Sequence, residues 1–260
     1  MTRWTLTFQL LLSAMVVATQ GSAFTASSST LSTRPSATAG KKIKSSSADT
    51  PETLPEFSNS EEYLAYLETV SKLPLGFATG TADGTFISVE APGLGNLKIR
   101  ATVIQLTEGP TENWAACFTS NKFPGAPIKV GRKRLAAGGP IEALVINNKV
   151  SNVCSGGDGE ADAESVCEAV AKALNLESKD MVLPSSTGVI GWRLPAKELA
   201  EEVVPEAIKK MQTESVLNAA EAIMTTDRFP KVRSITLSNG ARVVGIAKGA
   251  GMIEPNMATM

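Results

Sequence analysis

A chain of 260 residues with 43% hydrophobic side chains can bury a core without disulfide bonds. Its formal net charge is −1, and its charges are interspersed, so it offers no polybasic face and no nucleic-acid partner is expected. Histidine is absent, which excludes a Ser-His-Asp triad, a Cys-His pair and an imidazole metal site within the chain. Acid–base chemistry must therefore come from carboxylates, lysines or a terminal amine.

The three cysteines offer no obvious chemistry. Cys117, Cys154 and Cys167 lack the CxxC spacing of zinc or redox sites, and an odd number makes a poor disulfide framework. We interpret them as small buried or half-buried thiols. The residue pattern predicts no bound metal and no resident cofactor.

The first 57 residues have the composition of a targeting leader. Arg3 precedes an apolar stretch over residues 10–18, which is too short to span a membrane, and small residues follow at 21–23. We predict a signal peptide over 1–23 and a Ser/Thr-rich transit peptide with a linker over 24–57. No membrane partner is expected.

The order of these two segments indicates a destination. A signal peptide joined to a transit peptide, with Phe24 directly after the predicted cut, resembles the two-part leaders of plastid proteins. The mitochondrial matrix is the alternative, although mitochondrial presequences usually carry more arginine early. Secretion ranks third, because nothing downstream looks like a disulfide-stapled secreted domain.

The rest of the chain alternates helix and strand patterns. Capping residues at 58–61 predict a helix to about Lys72, and Gly-containing turns with β-rich runs follow from Gly76. The clearest strand is Leu97–Leu106, and a hairpin is predicted around Ser238-Asn239-Gly240. Short strands are predicted at 114–118 and 143–146, and helices at 161–174, 196–211 with a break at Pro205, and 215–224. This mixture predicts an α/β or α+β layered domain.

Four segments combine hydroxyl, small and charged residues. Residues 184–191 (PSSTGVIG) can aim amides and a hydroxyl at an anionic oxygen, or can simply form a tight loop before a helix. Residues 223–227 (IMTTD) suit a polar site or ordinary helix capping. Residues 247–252 (AKGAGM) let the backbone approach a ligand beside a lysine, without P-loop spacing. Residues 256–260 (NMATM) have the composition of a frayed tail.

Taken in order, these motifs resemble one enzyme family. PSSTGVIG, AAEAIMTTD and GIAKGAGMIEPNMATM, with the upstream ACFTSNKFPGAP and LVINN, are similar to the ornithine acetyltransferases, whose bifunctional members also make N-acetylglutamate. The likeness runs from about Gly76 to Met260. It implies a sheet-and-helix fold of the N-terminal-nucleophile type, with residues 58–258 as the first subunit and 259–260 as the start of the second.

The resemblance also implies a reaction. The precursor would cut itself between Ala258 and Thr259, and the freed α-amine, with a pKa of about 8, would activate the Thr259 hydroxyl. Thr259 would then accept acetyl from N-acetylornithine and pass it to glutamate, in arginine biosynthesis. The motifs leave open whether acetyl-CoA is an additional co-substrate.

Further site residues follow from the same resemblance. Thr187 and Gly188 match the oxyanion-hole pair, and Thr225, Thr226, Lys248 and Thr259 match substrate-binding positions, with Lys248 suited to an α-carboxylate. The family's partner is its own second subunit, in a heterotetramer of two cleaved precursors.

There are departures from the family pattern and alternatives to it. Residues 147–156 (NNKVSNVCSG) differ from the usual family stretch, and the sequence ends one residue after the expected nucleophile. We expect the first-subunit part of a longer precursor. The alternative is an inactive scaffold or partner-binding remnant of the same fold. A different N-terminal-nucleophile hydrolase, such as an aminopeptidase, ranks below both.

Overall fold

The computed structural model describes Ala14–Ala18 and residues 55–249. The remainder of the predicted leader and the segment 250–260 lie outside the described residues. The expected leader cleavage sites, and the expected self-cleavage site at Ala258 and Thr259, therefore fall there as well.

The described elements alternate between strands and helices. The strands are β1 (Ala14–Ala18), β2 (Phe77–Phe86), β3 (Leu97–Leu106), β4 (Ala143–Asn147), β5 (Val182–Ser186), β6 (Lys231–Thr236) and β7 (Arg242–Ala247). The helices are α1 (Ser60–Val70), α2 (Ala126–Ala137), α3 (Gly159–Leu174), α4 (Ala196–Glu198), α5 (Val204–Lys209) and α6 (Leu217–Ala222), with a π-helical turn at Leu199–Val203 between α4 and α5.

Two sheets organise these elements. The larger has the order β2-β3-β4-β5, and the smaller has the order β1-β7-β6. In the larger sheet β2, β3 and β4 pair antiparallel, whereas β4 and β5 pair in parallel because α3 crosses between them. β1 pairs antiparallel with β7 and lies inside the predicted signal peptide. The parallel pair places the carboxyl ends of β4 and β5 at one edge of the sheet.

The larger sheet is covered on both faces. Ala101 and Val103 of β3 face a cluster that includes Val166 of α3 and Leu199, whereas Ile104 faces a second cluster. That second cluster joins α1, α6 and the β6-β7 hairpin through buried apolar side chains, which include Leu67, Ala219, Ile223, Val232 and Val244. Residues 101–104 of β3 are buried in succession, as expected where a strand is covered on both faces, whereas Lys98 and Arg100 near its start are not buried. The layered α/β class is therefore confirmed.

Most predicted elements are found, with shifted ends. β3 has the predicted bounds, α1 begins after Asn59, whose side chain accepts from the Glu62 amide at 2.9 Å, and the hairpin forms as β6 and β7. The predicted break at Pro205 is found as an interruption of the α-helix rather than as its end. A π-helical turn at Leu199–Val203 separates α4 from α5, and Pro205 lies in the first turn of α5, where a missing amide is tolerated.

The predicted strand at 114–118 is also wrong. These residues form no strand, and their aromatic side chains anchor an irregular segment onto α2. The Trp114 indole donates to the Gly139 carbonyl at 2.9 Å, and the Phe118 ring lies where a Cβ on Gly131 would be. In a window of only a few residues, the aromatic side chains of a regular element cannot be distinguished from aromatic side chains that anchor an irregular segment.

The glycines of β2 are packing sites rather than turns. A Cβ on Gly80 would lie 2.0 Å from the Ala207 carbonyl oxygen, and one on Gly84 would lie 2.4 Å from Val203 Cγ2. Both glycines let the helical layer approach the sheet backbone directly. The predicted turns within this segment are therefore wrong, and the glycines are strand residues.

The cysteine interpretation holds in part. Cys167 is buried, and burial raises the pKa of its thiol to about 12, whereas Cys117 and Cys154 are exposed. None of the three forms a disulfide bond. Within the part of the chain that the structure describes, no helix has the length and apolarity needed to cross a bilayer.

We predict that Gly80→Ala strongly destabilises the protein. The new methyl group would collide with the backbone of α5, and overpacking of this kind costs about 1–3 kcal/mol or more. Urea denaturation of both proteins measures the change in the free energy of unfolding. Gly93→Ala is the matched control, because no atom lies within 4 Å of a Cβ added there. Equal stability of the two variants would contradict this account of β2.

Candidate functional site

The carboxyl ends of β4 and β5 form the base of the site. β4 ends at Asn147 and β5 ends at Ser186, so the segments that follow both strands leave the sheet at the same edge. The Ser186 hydroxyl donates to Asn147 Oδ1 at 2.6 Å, and the Thr187 amide donates to the Asn147 carbonyl at 3.0 Å. Asn147 is only 4% exposed, and its Nδ2 donates to the Val150 carbonyl at 2.7 Å. This buried side chain ties the loop after β4 to the loop after β5.

The Thr187-Gly188 turn is fixed against the loop after β4. Gly188 has a φ of +133°, and a Cβ there would lie 2.2 Å from the Lys149 carbonyl oxygen. The next amide, that of Val189, donates to the same Lys149 oxygen at 2.8 Å. Only glycine therefore fits at position 188, for reasons of both conformation and space.

Two donors of this turn remain available. The Thr187 amide is already bound to Asn147, whereas neither the Thr187 hydroxyl nor the Gly188 amide donates to any residue that the structure describes. The Thr187 residue is only 3% exposed, so its side chain is enclosed by the surrounding residues. A hydroxyl and an adjacent amide held in this way can stabilise an oxyanion.

Asn148 connects this edge to the end of α6. Its Nδ2 donates to the Ala222 carbonyl at 3.0 Å and to the Met224 carbonyl at 3.3 Å, and its Oδ1 accepts from the Arg100 amide at 2.9 Å. The carbonyls at the end of a helix need donors from outside the helix, and Asn148 supplies one. The segment with Thr225 and Thr226 therefore starts from a position that β4 determines.

A buried carboxylate joins that segment to the end of β7. The Asp227 side chain has 0% exposure, and its Oδ1 accepts from Lys231 Nζ at 2.8 Å and from the Gly249 amide at 2.8 Å. Its Oδ2 accepts from the Thr225 amide at 3.3 Å. Burial alone raises the pKa of Asp227, but these three donors outweigh burial and hold the pKa below its ordinary value.

Lys248 lies next to this anchor and is half-buried. It forms no ion pair or hydrogen bond with any residue in the described ranges. Burial lowers the pKa of Lys248, while the Asp227 charge raises it and the Lys231 charge lowers it. Thr225 and Thr226 are exposed on the neighbouring turn. A half-buried ammonium that has no ion-pair partner among the described residues is suited to bind a small carboxylate.

The structure thus links the predicted site residues through hydrogen bonds. Thr187 and Gly188 connect through Asn147 and Asn148 to the α6 end, and Thr225 connects through Asp227 to Gly249, next to Lys248. Ala258 and Thr259 lie outside the described residues. No group of three or more metal-binding side chains occurs among those that are described.

The connecting role of four residues was not predicted from the sequence. Asn147, Asn148, Asp227 and Lys231 carry the connections, and of these only Asp227 lay in a candidate segment, residues 223–227, where it was given no role of its own. The available signals were the Asn-Asn pair directly after an apolar strand, and an acid and a lysine four residues apart around Pro230.

We predict that Asn148→Ala lowers the free energy of unfolding by about 1–3 kcal/mol, because two carbonyls and the Arg100 amide lose their partner. Thermal or urea denaturation measures the change. Asn113→Ala is the control, since its exposed side chain makes no hydrogen bond with a described residue. A loss no larger than that of the control would show that Asn148 does not hold the α6 end.

Known proteins are similar to this chain in sequence and in fold. The model of the ArgJ family matches residues 93–260. The arginine biosynthesis bifunctional protein ArgJ, mitochondrial, of Penicillium rubens is 38% identical over 205 residues, which cover 75% of this chain and 40% of that protein. Arginine biosynthesis bifunctional protein ArgJ of Thermobifida fusca is 37% identical over 188 residues, covering 72% and 46%. The chain thus spans less than half the length of these curated relatives.

Two solved structures resemble the fold. Ornithine acetyltransferase complexed with ornithine, from Mycobacterium tuberculosis, is 32% identical with a TM-score of 0.61, covering 71% of this chain and 95% of that one. Arginine biosynthesis bifunctional protein ArgJ from Bacillus halodurans is 26% identical with a TM-score of 0.55, covering 73% and 93%. These matches confirm the family resemblance and the type of fold. The chain belongs to the ArgJ family.

Proposed function

We propose that the complete protein is a glutamate N-acetyltransferase of arginine biosynthesis, which transfers acetyl from N-acetylornithine to glutamate. The observation that carries this proposal is the half-buried Lys248, which is unpaired within the described ranges and whose neighbour Gly249 is linked through Asp227 to the exposed Thr225. N-acetylornithine and glutamate share an α-carboxylate, and one cation can therefore serve both half-reactions. The names of the relatives and the ornithine complex of the mycobacterial protein support this choice.

The nucleophile in this proposal is Thr259, made available by cleavage after Ala258. The Thr259 hydroxyl attacks the Ala258 carbonyl, the acyl group moves from nitrogen to oxygen, and water hydrolyses the resulting ester. The new terminal amine, with a pKa of about 8, then accepts the hydroxyl proton. This chemistry fits a chain that has no histidine.

The acetyl group is then transferred in two steps. Thr259 attacks the acetyl carbonyl of N-acetylornithine and releases ornithine, and the α-amine of glutamate attacks the acetyl-enzyme. Each step passes through a tetrahedral oxyanion, for which the Thr187 hydroxyl and the Gly188 amide are the available donors. The proposed reaction needs no resident cofactor. We also propose acetyl-CoA as a second acetyl donor, since the named relatives are bifunctional proteins.

The proposal includes a partner and a domain division. Residues 58–258 form the first subunit, Thr259 begins the second, and two cleaved precursors form a heterotetramer. The alternative is an inactive scaffold of the same fold. That alternative predicts no cleavage and no acetyl transfer.

We predict that the complete reading frame gives two chains split between Ala258 and Thr259, and that Thr259→Ala gives one uncut chain. Without its hydroxyl, residue 259 cannot attack the preceding carbonyl. Intact mass spectrometry of both purified proteins measures the cleavage, and acetyl transfer from N-acetylornithine to glutamate is then assayed. Ser58→Ala is a control that changes a hydroxyl far from the site in sequence. An uncut wild type without transfer activity would establish the inactive alternative.

We propose that residues 1–23 and 24–57 deliver the protein to a plastid, and the mitochondrial matrix is the alternative destination. The mitochondrial name of the Penicillium rubens relative favours that alternative. The two-part composition of the leader favours the plastid.

We expect residues 1–57 fused to a fluorescent protein to enter plastids in a cell that has both organelles. Because the signal peptide is the first of the two addresses, removal of residues 1–23 should abolish this entry. Fluorescence microscopy with plastid and mitochondrial markers measures the location. Fluorescence in mitochondria that does not depend on residues 1–23 would establish the matrix instead.

A further inference from the structure

We propose that Asp227 is a positioning residue, which fixes the Lys248 segment and thereby sets the recognition of the substrate α-carboxylate. This inference rests on the proposed function and adds a residue to it. Asp227 itself is not placed in contact with substrate. It acts through the backbone on one side and through its charge on the other.

The geometry supports the backbone role. Asp227 Oδ1 accepts from the Gly249 amide at 2.8 Å, and Gly249 directly follows Lys248. Asp227 Oδ2 accepts from the Thr225 amide at 3.3 Å. One carboxylate therefore holds the turn with Thr225 and the chain leaving β7 at a fixed separation. These two segments carry the hydroxyl and the ammonium group of the proposed carboxylate site.

The Gly249 conformation depends on this contact. Gly249 has a φ of +144°, which residues with a side chain rarely adopt, and its amide points at a fully buried oxygen. Hydrogen bonds to charged groups are stronger than those between neutral groups. An uncharged side chain at position 227 would therefore hold this chain path less firmly.

The charge of Asp227 also acts on Lys248. Asp227 and Lys231 are the charged groups of the described chain that act on Lys248, and the two have opposite effects. Burial lowers the pKa of Lys248, Asp227 raises it, and Lys231 lowers it. Without the Asp227 charge, burial and Lys231 both lower the pKa of Lys248, and the opposing effect of Asp227 is lost. Lys248 would then lose its proton at a lower pH, and its attraction for a carboxylate would be lost with the proton.

The test uses the complete precursor as wild type, Asp227→Asn, Lys248→Met and the double variant. Each protein is assayed from pH 7 to 10.5 with N-acetylornithine and with its α-carboxamide, which lacks the carboxylate. The measured quantity is the ratio of kcat/KM for the acid to that for the amide. The terminal amine of Thr259 and the substrate side chain affect both substrates equally, so they cancel in this ratio.

We expect the wild-type ratio to be high and to fall as Lys248 loses its proton. In Asp227→Asn this fall should occur at a lower pH than in the wild type, because a nearby negative charge favours the charged form of the lysine. Lys248→Met should bring the ratio close to one, and Asp227→Asn should change it no further in that background. An unchanged pH midpoint in Asp227→Asn, or an equal effect with and without Lys248, would overturn the inference.

Lys231→Gln provides a second test with the opposite sign. It removes the like charge but keeps a donor for Asp227, so the midpoint should move to higher pH. A variant that only loosens the structure would not raise it. If Asp227→Asn remains uncut or insoluble, the result for Lys231→Gln is decisive. A pH midpoint in Lys231→Gln that equals or lies below the wild-type midpoint would overturn the inference. If the wild type transfers no acetyl group at all, the proposed function itself fails, which is a distinct result.

Discussion

The parallel pairing of β4 with β5 is the constraint on which the candidate site depends. Because α3 returns the chain to the same end of the sheet, Asn147 and Ser186 lie side by side where the two strands stop. The buried Asn147 side chain accepts from the Ser186 hydroxyl and donates to the Val150 carbonyl, and the Asn147 backbone carbonyl accepts from the Thr187 amide. A buried polar side chain with all its partners in place specifies a single geometry. The position of the Thr187 backbone therefore follows from strand pairing in the core.

A second constraint is electrostatic. Around the α6 end and the end of β7, Lys231 and Lys248 lie near one buried carboxylate, Asp227. Lys231 pairs directly with Asp227, whereas the half-buried Lys248 has no ion-pair partner among the described residues. A buried or half-buried charge without a partner costs free energy, which a bound carboxylate would recover. The unpaired Lys248 charge thus raises the free energy of the unbound protein and also attracts an anionic substrate.

The two constraints explain which features could be predicted from sequence. β3 and the β6-β7 hairpin were predictable because an apolar run and an Asn-Gly turn are local signals. Gly80 and Gly84 were mistaken for turn residues because their role depends on α5, which is more than a hundred residues away in the chain. Trp114 and Phe118 were mistaken for strand residues for a similar reason. Their partners, Gly139 and Gly131, cannot be identified before α2 is placed.

The same distinction applies to the site. Thr187, Gly188, Thr225 and Lys248 could be proposed from the sequence because they belong to short motifs that resemble a family. No role could be proposed for Asn148 and Asp227, because each connects segments that lie far apart in sequence, from Arg100 to Met224 and from Thr225 to Gly249. A motif marks groups that touch a ligand, whereas the groups that hold those motifs together have partners in several elements. They become visible only when the hydrogen bonds are traced.

Because the chain has no histidine, these hydrogen bonds also matter for the charge of the groups in the site. A chain without an imidazole has no side chain that titrates near neutral pH in its unperturbed state, so its site must obtain suitable groups by other means. One means is to lower the pKa of a lysine by burial, and Lys248 shows that shift, limited by the Asp227 charge. The depth of burial and the distance of one carboxylate then determine up to which pH the Lys248 ammonium keeps its proton. In this fold Asp227 belongs both to the hydrogen bonds at Gly249, next to Lys248, and to the charges that act on Lys248.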